Sequence, residues 1–119
     1  MNDNLGIMQG RLLPKFKNRF QAHPLGYWQE EFFIAKEIGL GYIEFILDFN
    51  DYNQNPLMSD NGISEILENI QKSGVGVRSV CADIFMEAPL HSKNKDLFDS
   101  YFSFSRSALK FHSIYFVLK

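Results

Sequence analysis

An α/β fold, in which parallel strands alternate with helices, is predicted by three features of the sequence. Gly6, Gly41 and Gly76 recur at a 35-residue interval, each at the head of a β-prone run. Apolar residues between those runs return at helical spacings of three and four. Gly39 and Gly74, again 35 residues apart, stand where each of those helical stretches should stop.

The first predicted strand is Ile7-Met8, the second Tyr42-Ile43-Glu44-Phe45-Ile46, and the third runs from Val77 to Ala82. Between the first two, Trp28 to Ile38 carries Trp28, Phe32, Ala35 and Ile38 on one helical face, and Gly39 ends it. The second helix has Ile63, Ile66, Leu67 and Ile70 as its stripe and Gly74 as its stop. Ser59 or Asp60 is placed to cap its start, a contribution of about 1 kcal/mol. A third helix is predicted from Asp96 to Phe111, with Leu97, Phe98, Tyr101, Phe102, Ser105, Ala108 and Leu109 in period, followed by a fourth strand from Ile114 to Leu118.

This order implies parallel strands joined by right-handed crossovers, with the helices on one face if the winding never reverses. The result is a partial (β/α)8 barrel of about four strands and three helices. A doubly wound sheet is the alternative, with helices on both faces. No Gly-x-Gly-x-x-Gly follows the first strand, and Gly39-Leu40-Gly41 and Gly74-Val75-Gly76 precede strands instead of opening phosphate-binding helices.

At 119 residues the chain is one domain, well short of the roughly 250 typical of a closed barrel. With 45% hydrophobic and 22% charged residues it has a globular composition, and its net charge of -2 supplies no field to draw nucleic acid or anionic lipid. The opening Met1-Asn2-Asp3-Asn4 lacks the features of a secretory leader, and no apolar run reaches the ~20 residues of a membrane span, so a cytoplasmic location is expected. Cys81 is the only cysteine, expected as a small buried side chain.

In a parallel barrel the chemistry lies at the C-terminal strand ends, and residues two apart on a strand share a face. Aligning the repeat glycines puts Ile7, Gln9 and Arg11 in line with Tyr42, Glu44 and Ile46, and with Val77, Ser79 and Cys81, with Asp83 extending the last row. The predicted substrate-binding residues facing the barrel mouth are therefore Gln9, Arg11, Glu44, Ser79 and Asp83. Glu44 is the one candidate general acid/base, or alternatively a charge partner of Arg11. Arg11 suits a phosphate or sugar oxygen, and Asp83 a hydroxyl or a local cap. Met8, Ile43, Phe45 and Val80 fall on the helix-facing parity, with Arg78 as an exception that the pattern leaves unexplained. His23, His91 and His112 are too scattered for a metal cluster and are expected in exposed or capping positions. Phe16, Phe20, Tyr27 and Trp28 form an aromatic-rich loop and helix start expected to pack hydrophobically.

Gly6-Ile7-Met8-Gln9-Gly10-Arg11-Leu12, Gln21-Ala22-His23-Pro24 and Trp28-Gln29-Glu30-Glu31-Phe32 resemble the opening of the sugar-phosphate isomerase/epimerase family of xylose-isomerase-like TIM barrels. Gly41-Tyr42-Ile43-Glu44, Asn55-Pro56-Leu57 and Val77-Arg78-Ser79-Val80-Cys81-Ala82-Asp83 resemble that family's next segments, so the likeness covers Leu5 to Phe98. From Ser100, Tyr-Phe-Ser-Phe-Ser-Arg-Ser departs from the family's charged helix, as a split or frame-shifted gene would. The resemblance implies proton transfer beside a ketose carbonyl through an enediolate, with a divalent metal (Mn, Mg, Co or Zn) held by strands of the barrel's second half. None of those metal ligands maps onto this chain, so no cofactor is expected in it.

Two expectations follow. In one, the chain is the N-terminal portion of a metal-dependent sugar-phosphate isomerase/epimerase, inactive alone. In the other, it is a non-catalytic half-barrel module that self-associates or complements a separately encoded C-terminal half. The expected partner is a small sugar or sugar phosphate once the site is completed, or another protein chain, and neither nucleic acid nor membrane.

Overall fold

The computed structural model describes residues 2–84 and 115–117. Four strands, β1 (Asn2–Met8), β2 (Leu40–Ile46), β3 (Gly76–Cys81) and β4 (Tyr115–Val117), form one parallel sheet in the order β1-β2-β3-β4. Two helices, α1 (Glu30–Glu37) and α2 (Asp60–Ser73), link the first three strands. The predicted third helix, along with His91 and His112, lies outside the described residues.

The local signals explain these bounds. Ser59 caps α2 by accepting from the Gly62 N–H at 3.0 Å, the first of the two predicted caps. Gly39 and Gly74 take positive φ of 86° and 78°, and the Gly74 N–H closes on the Ile70 carbonyl at 2.8 Å. α1 is shorter than predicted because its entry is a tight turn: the N–H groups of Glu30, Glu31 and Phe32 reach back three residues to Tyr27, Trp28 and Gln29. Before α2, short 3-10 turns at Tyr52–Gln54 and Pro56–Met58 carry the chain across the end of β2. Asn55 fixes this connection, donating to the Ile46 carbonyl at 2.9 Å and accepting from the Leu57 N–H at 3.0 Å.

Both helices bury their apolar stripes in one core against one face of the sheet. Phe32 and Ala35 of α1 and Ile63 and Ile66 of α2 meet Ile43, Phe45, Val77 and Val80, with the Trp28 ring edge-on to Phe32 and Phe45. Fully burying side chains of this size stabilises the fold by about 1.5–3 kcal/mol each. Ile38 and Leu67, both predicted in the stripes, are instead exposed.

Strand register corrects the predicted alignment. Ile7 pairs with Ile43 and Met8 with Glu44, one residue away from the glycine-based match. Ile7 therefore packs toward the helix-side core, and Met8 shares the row of Glu44 on the opposite face. On β3, Val77 pairs with Ile43, but Ser79 pairs with Glu44, so Arg78 is the additional residue of a β-bulge. Val77 consequently joins the helix-side core, and Arg78 lies over the Tyr42 ring, 4.8 Å from its centroid. The bulge accounts for the one residue that broke the predicted parity.

Candidate functional site

The face of the sheet away from the helices carries Met8, Glu44 and Ser79 as one row across β1, β2 and β3. The Ser79 hydroxyl donates to the Glu44 carboxylate at 2.7 Å, so neighbouring strands hold this acid in a fixed orientation. Both residues are half-buried. The structure thus brings together two of the five predicted site residues. Arg11 does not pair with Glu44: it is exposed, reaches the Met8 sulfur at 3.9 Å, and lies 5.7 Å from the Phe20 ring centroid. Asp83, just past β3, accepts from Gln21 Nε2 at 2.6 Å and from the Cys81 thiol at 3.2 Å, and Cys81 is buried as expected.

Gln9 departs from the predicted row for a physical reason. β1 ends at Met8, and the Gln9 side-chain oxygen accepts from the Ile46 N–H at 3.0 Å, where an extended β1 would have offered a backbone carbonyl. The same oxygen faces His23 Nδ1 at 3.0 Å. Gln9 therefore joins His23, whose ring packs against Phe45 and Trp28 at centroid distances of 5.3 and 6.2 Å. His23, expected in an exposed or capping position, is instead 6% exposed, and burial lowers its pKa to about 3. It is neutral at pH 7. Gln9 Nε2 and His23 Nε2 are buried with no hydrogen-bond partner among the described residues, a cost of about 1–3 kcal/mol each.

Residues 9–29 form a strap across the C-terminal ends of β1, β2 and β3. Its base is tied by Glu31, a fully buried carboxylate at the start of α1 that accepts from the Gly10 N–H at 2.7 Å and the Leu12 N–H at 3.0 Å. Burial pushes the Glu31 pKa up, while the backbone N–H donors of Gly10, Leu12 and Arg11 pull against that rise. At the tip, Lys17 and Asn18 both take positive φ in a tight hairpin turn that aligns Phe16 with Arg19. The turn delivers Arg19 to Asp48 at 2.7 Å and Lys17 to Asp51 at 3.1 Å, both acids lying beyond β2. Gln21 reaches Asp83 beyond β3. Of the aromatic set, Trp28 is core, Phe16 and Tyr27 pack on each other at 6.4 Å, and Phe20 is exposed with Lys15 Nζ 3.8 Å from its centroid.

The sequence reading missed Glu31, His23, Asp48 and Gln21 as site-building residues. Three of them bond partners at least 21 positions away along the chain, which no local period reveals, and the buried carboxylate at a helix start was the one available hint. Among the described residues, no three His, Cys, Asp or Glu side chains converge to hold a metal ion. The divalent metal that the resemblance implies belongs to strands of a barrel's second half, not to these strand ends. No described helix is long and apolar enough to cross a membrane. No protein-family model matches the chain, and no curated protein does so either.

Proposed function

We propose that the chain is the N-terminal portion of a sugar-phosphate isomerase/epimerase of half-barrel architecture, binding a ketose or its phosphate on the sheet face opposite the helices. The observation that carries this reading is the Glu44–Ser79 pair, a carboxylate oriented by a hydroxyl on the sheet face opposite the two described helices. In that role Glu44 takes a proton from the carbon beside the ketose carbonyl or holds a sugar hydroxyl, and Ser79 keeps the acting oxygen in place. Met8 forms an apolar neighbour on the same row, and Arg11 and Lys15 offer cations beside it for a phosphate. Asp83 bounds the site just past β3, whereas Gln9 is buried with His23 on the Phe45 side. Turnover requires groups beyond these residues, so the chain alone is expected to bind without catalysing.

Calorimetric titration with D-fructose 6-phosphate and D-ribulose 5-phosphate tests the proposal. Binding that weakens about tenfold in Glu44→Gln, equivalent to about 1.4 kcal/mol, supports it. Absence of binding to either ketose phosphate, or binding indifferent to Glu44→Gln, contradicts it.

A second reading, a half-barrel module that associates with another chain, is favoured by one feature. Among the described strands β1 is outermost, with Leu5 54% exposed, and an outer strand is a template for further pairing.

A further inference from the structure

The strap contains a buried donor and a buried acceptor that nothing in the described chain satisfies, and their chemistry restricts what can. The Ile46 N–H fixes the Gln9 amide with its oxygen inward, since the reversed amide would set N–H against N–H. That oxygen can only accept, so His23 donates to it from Nδ1 and carries a bare lone pair at Nε2. Gln9 Nε2 then offers N–H donors without an acceptor. Gln9 is 1% exposed and His23 6% exposed, so bulk solvent does not meet this need. A carboxylate or a fully ionised phosphate has no proton to donate to the imidazole lone pair, and an ammonium cannot accept from the amide. A neutral O–H group does both.

We infer that Gln9 and His23 form a binding site for hydroxyl groups within the strap, in which an O–H donates to His23 Nε2 and an oxygen accepts from Gln9 Nε2. The hydroxyl belongs either to internal water or to a small polyol. Buried polar atoms of native proteins are met by such groups as a rule. The ring of His23 is wedged between Phe45 and Trp28, which keeps it neutral and its lone pair in place. The site lies on different atoms from the Glu44–Ser79 pair and does not depend on it.

NMR of the 15N-labelled chain tests this in three arms: buffer alone, added glycerol and added D-fructose. Long-range proton–nitrogen correlations report the His23 tautomer and whether Nε2 accepts a hydrogen bond, which moves its resonance upfield from the bare-nitrogen position. Water-selective cross-relaxation to the His23 ring and the Gln9 side-chain amide identifies internal water. An Nδ1–H tautomer with Nε2 already upfield and water cross-peaks in buffer supports the site with water as occupant. An upfield movement that saturates with glycerol or fructose supports it with a polyol. Either result stands even if no ketose phosphate binds, which would sink the isomerase reading alone. An Nε2 resonance at the bare position in all three arms, or an Nε2–H tautomer, overturns the inference.

Discussion

Lowering the pH should destabilise this protein through His23 by an amount that its burial sets. In the unfolded chain the imidazole takes a proton near its ordinary value of 6.5, whereas in the fold burial depresses that pKa to about 3. Between those values the unfolded state binds a proton that the folded state refuses, so the stability present above pH 6.5 is lost as pH falls toward 3. At about 1.36 kcal/mol per pH unit, the loss from this group is about 2 kcal/mol by pH 5 and about 5 kcal/mol once pH falls below 3. Against a total of about 5–15 kcal/mol, that is enough to unfold a domain of this size. Glu31 acts in the opposite sense: its raised pKa lets the folded state take up a proton first, so its contribution is present at low pH and lost as pH rises through the raised value. The His23→Phe variant separates the two, because a phenyl ring keeps the packing on Trp28 and Phe45 and removes only the titrating nitrogens. Urea unfolding at pH 7, 6, 5 and 4 should show wild type losing stability faster than His23→Phe, with the difference growing by about 1 kcal/mol per unit below pH 6. Parallel pH profiles for the two proteins would refute a buried neutral imidazole at this position.

Three further outcomes are expected. Glu31→Ala removes the carboxylate that holds the Gly10 and Leu12 N–H groups, and should cost about 2–4 kcal/mol in urea unfolding, with those two amides losing hydrogen-exchange protection first; unchanged protection would mean that the strap is held elsewhere. Gly62→Ala would drive a methyl group into the Pro56 backbone, which cannot yield as a side-chain tip can, so a drop of at least about 2 kcal/mol is expected, and a neutral effect would refute that close approach. With β1 outermost among the described strands and Leu5 exposed, sedimentation should be concentration-dependent in the micromolar range; Leu5→Lys should reduce association, whereas a wild-type monomer at all concentrations would show that this strand makes no contact between copies.

The parts of the fold that the sequence made legible are those governed by neighbours in the chain. Gly39 and Gly74 stop helices because few other residues take positive φ at so low a cost, and Ser59 caps α2 because a hydroxyl there meets an N–H three residues on. Glu44 and Ser79 came together as the repeat implied, since their registry lies beyond the bulge. What stayed hidden is set by single-residue offsets and distant contacts. The strand period is two, so the one-residue slip of β1 exchanged Ile7 with Met8, and the additional residue at Arg78 turned Val77 to the helices. Gln9 left the predicted row through the same slip, which follows Met8↔Glu44 and so sets Gln9 on the Phe45 side. His23 looked like a surface residue on composition grounds, and only the rings of Trp28 and Phe45, brought over it by α1 and β2, make it a core residue.

The proposed ketose site around Glu44 and Ser79, on the face opposite the described helices, is tested most directly by mapping backbone amide shifts while D-fructose 6-phosphate is added to the 15N-labelled chain. The account predicts saturable movements concentrated at Met8, Glu44, Ser79 and Asp83, with the amides of α2 still, and their loss in Glu44→Gln. Movements confined to the helix-side surface, or none at millimolar ligand, would contradict it.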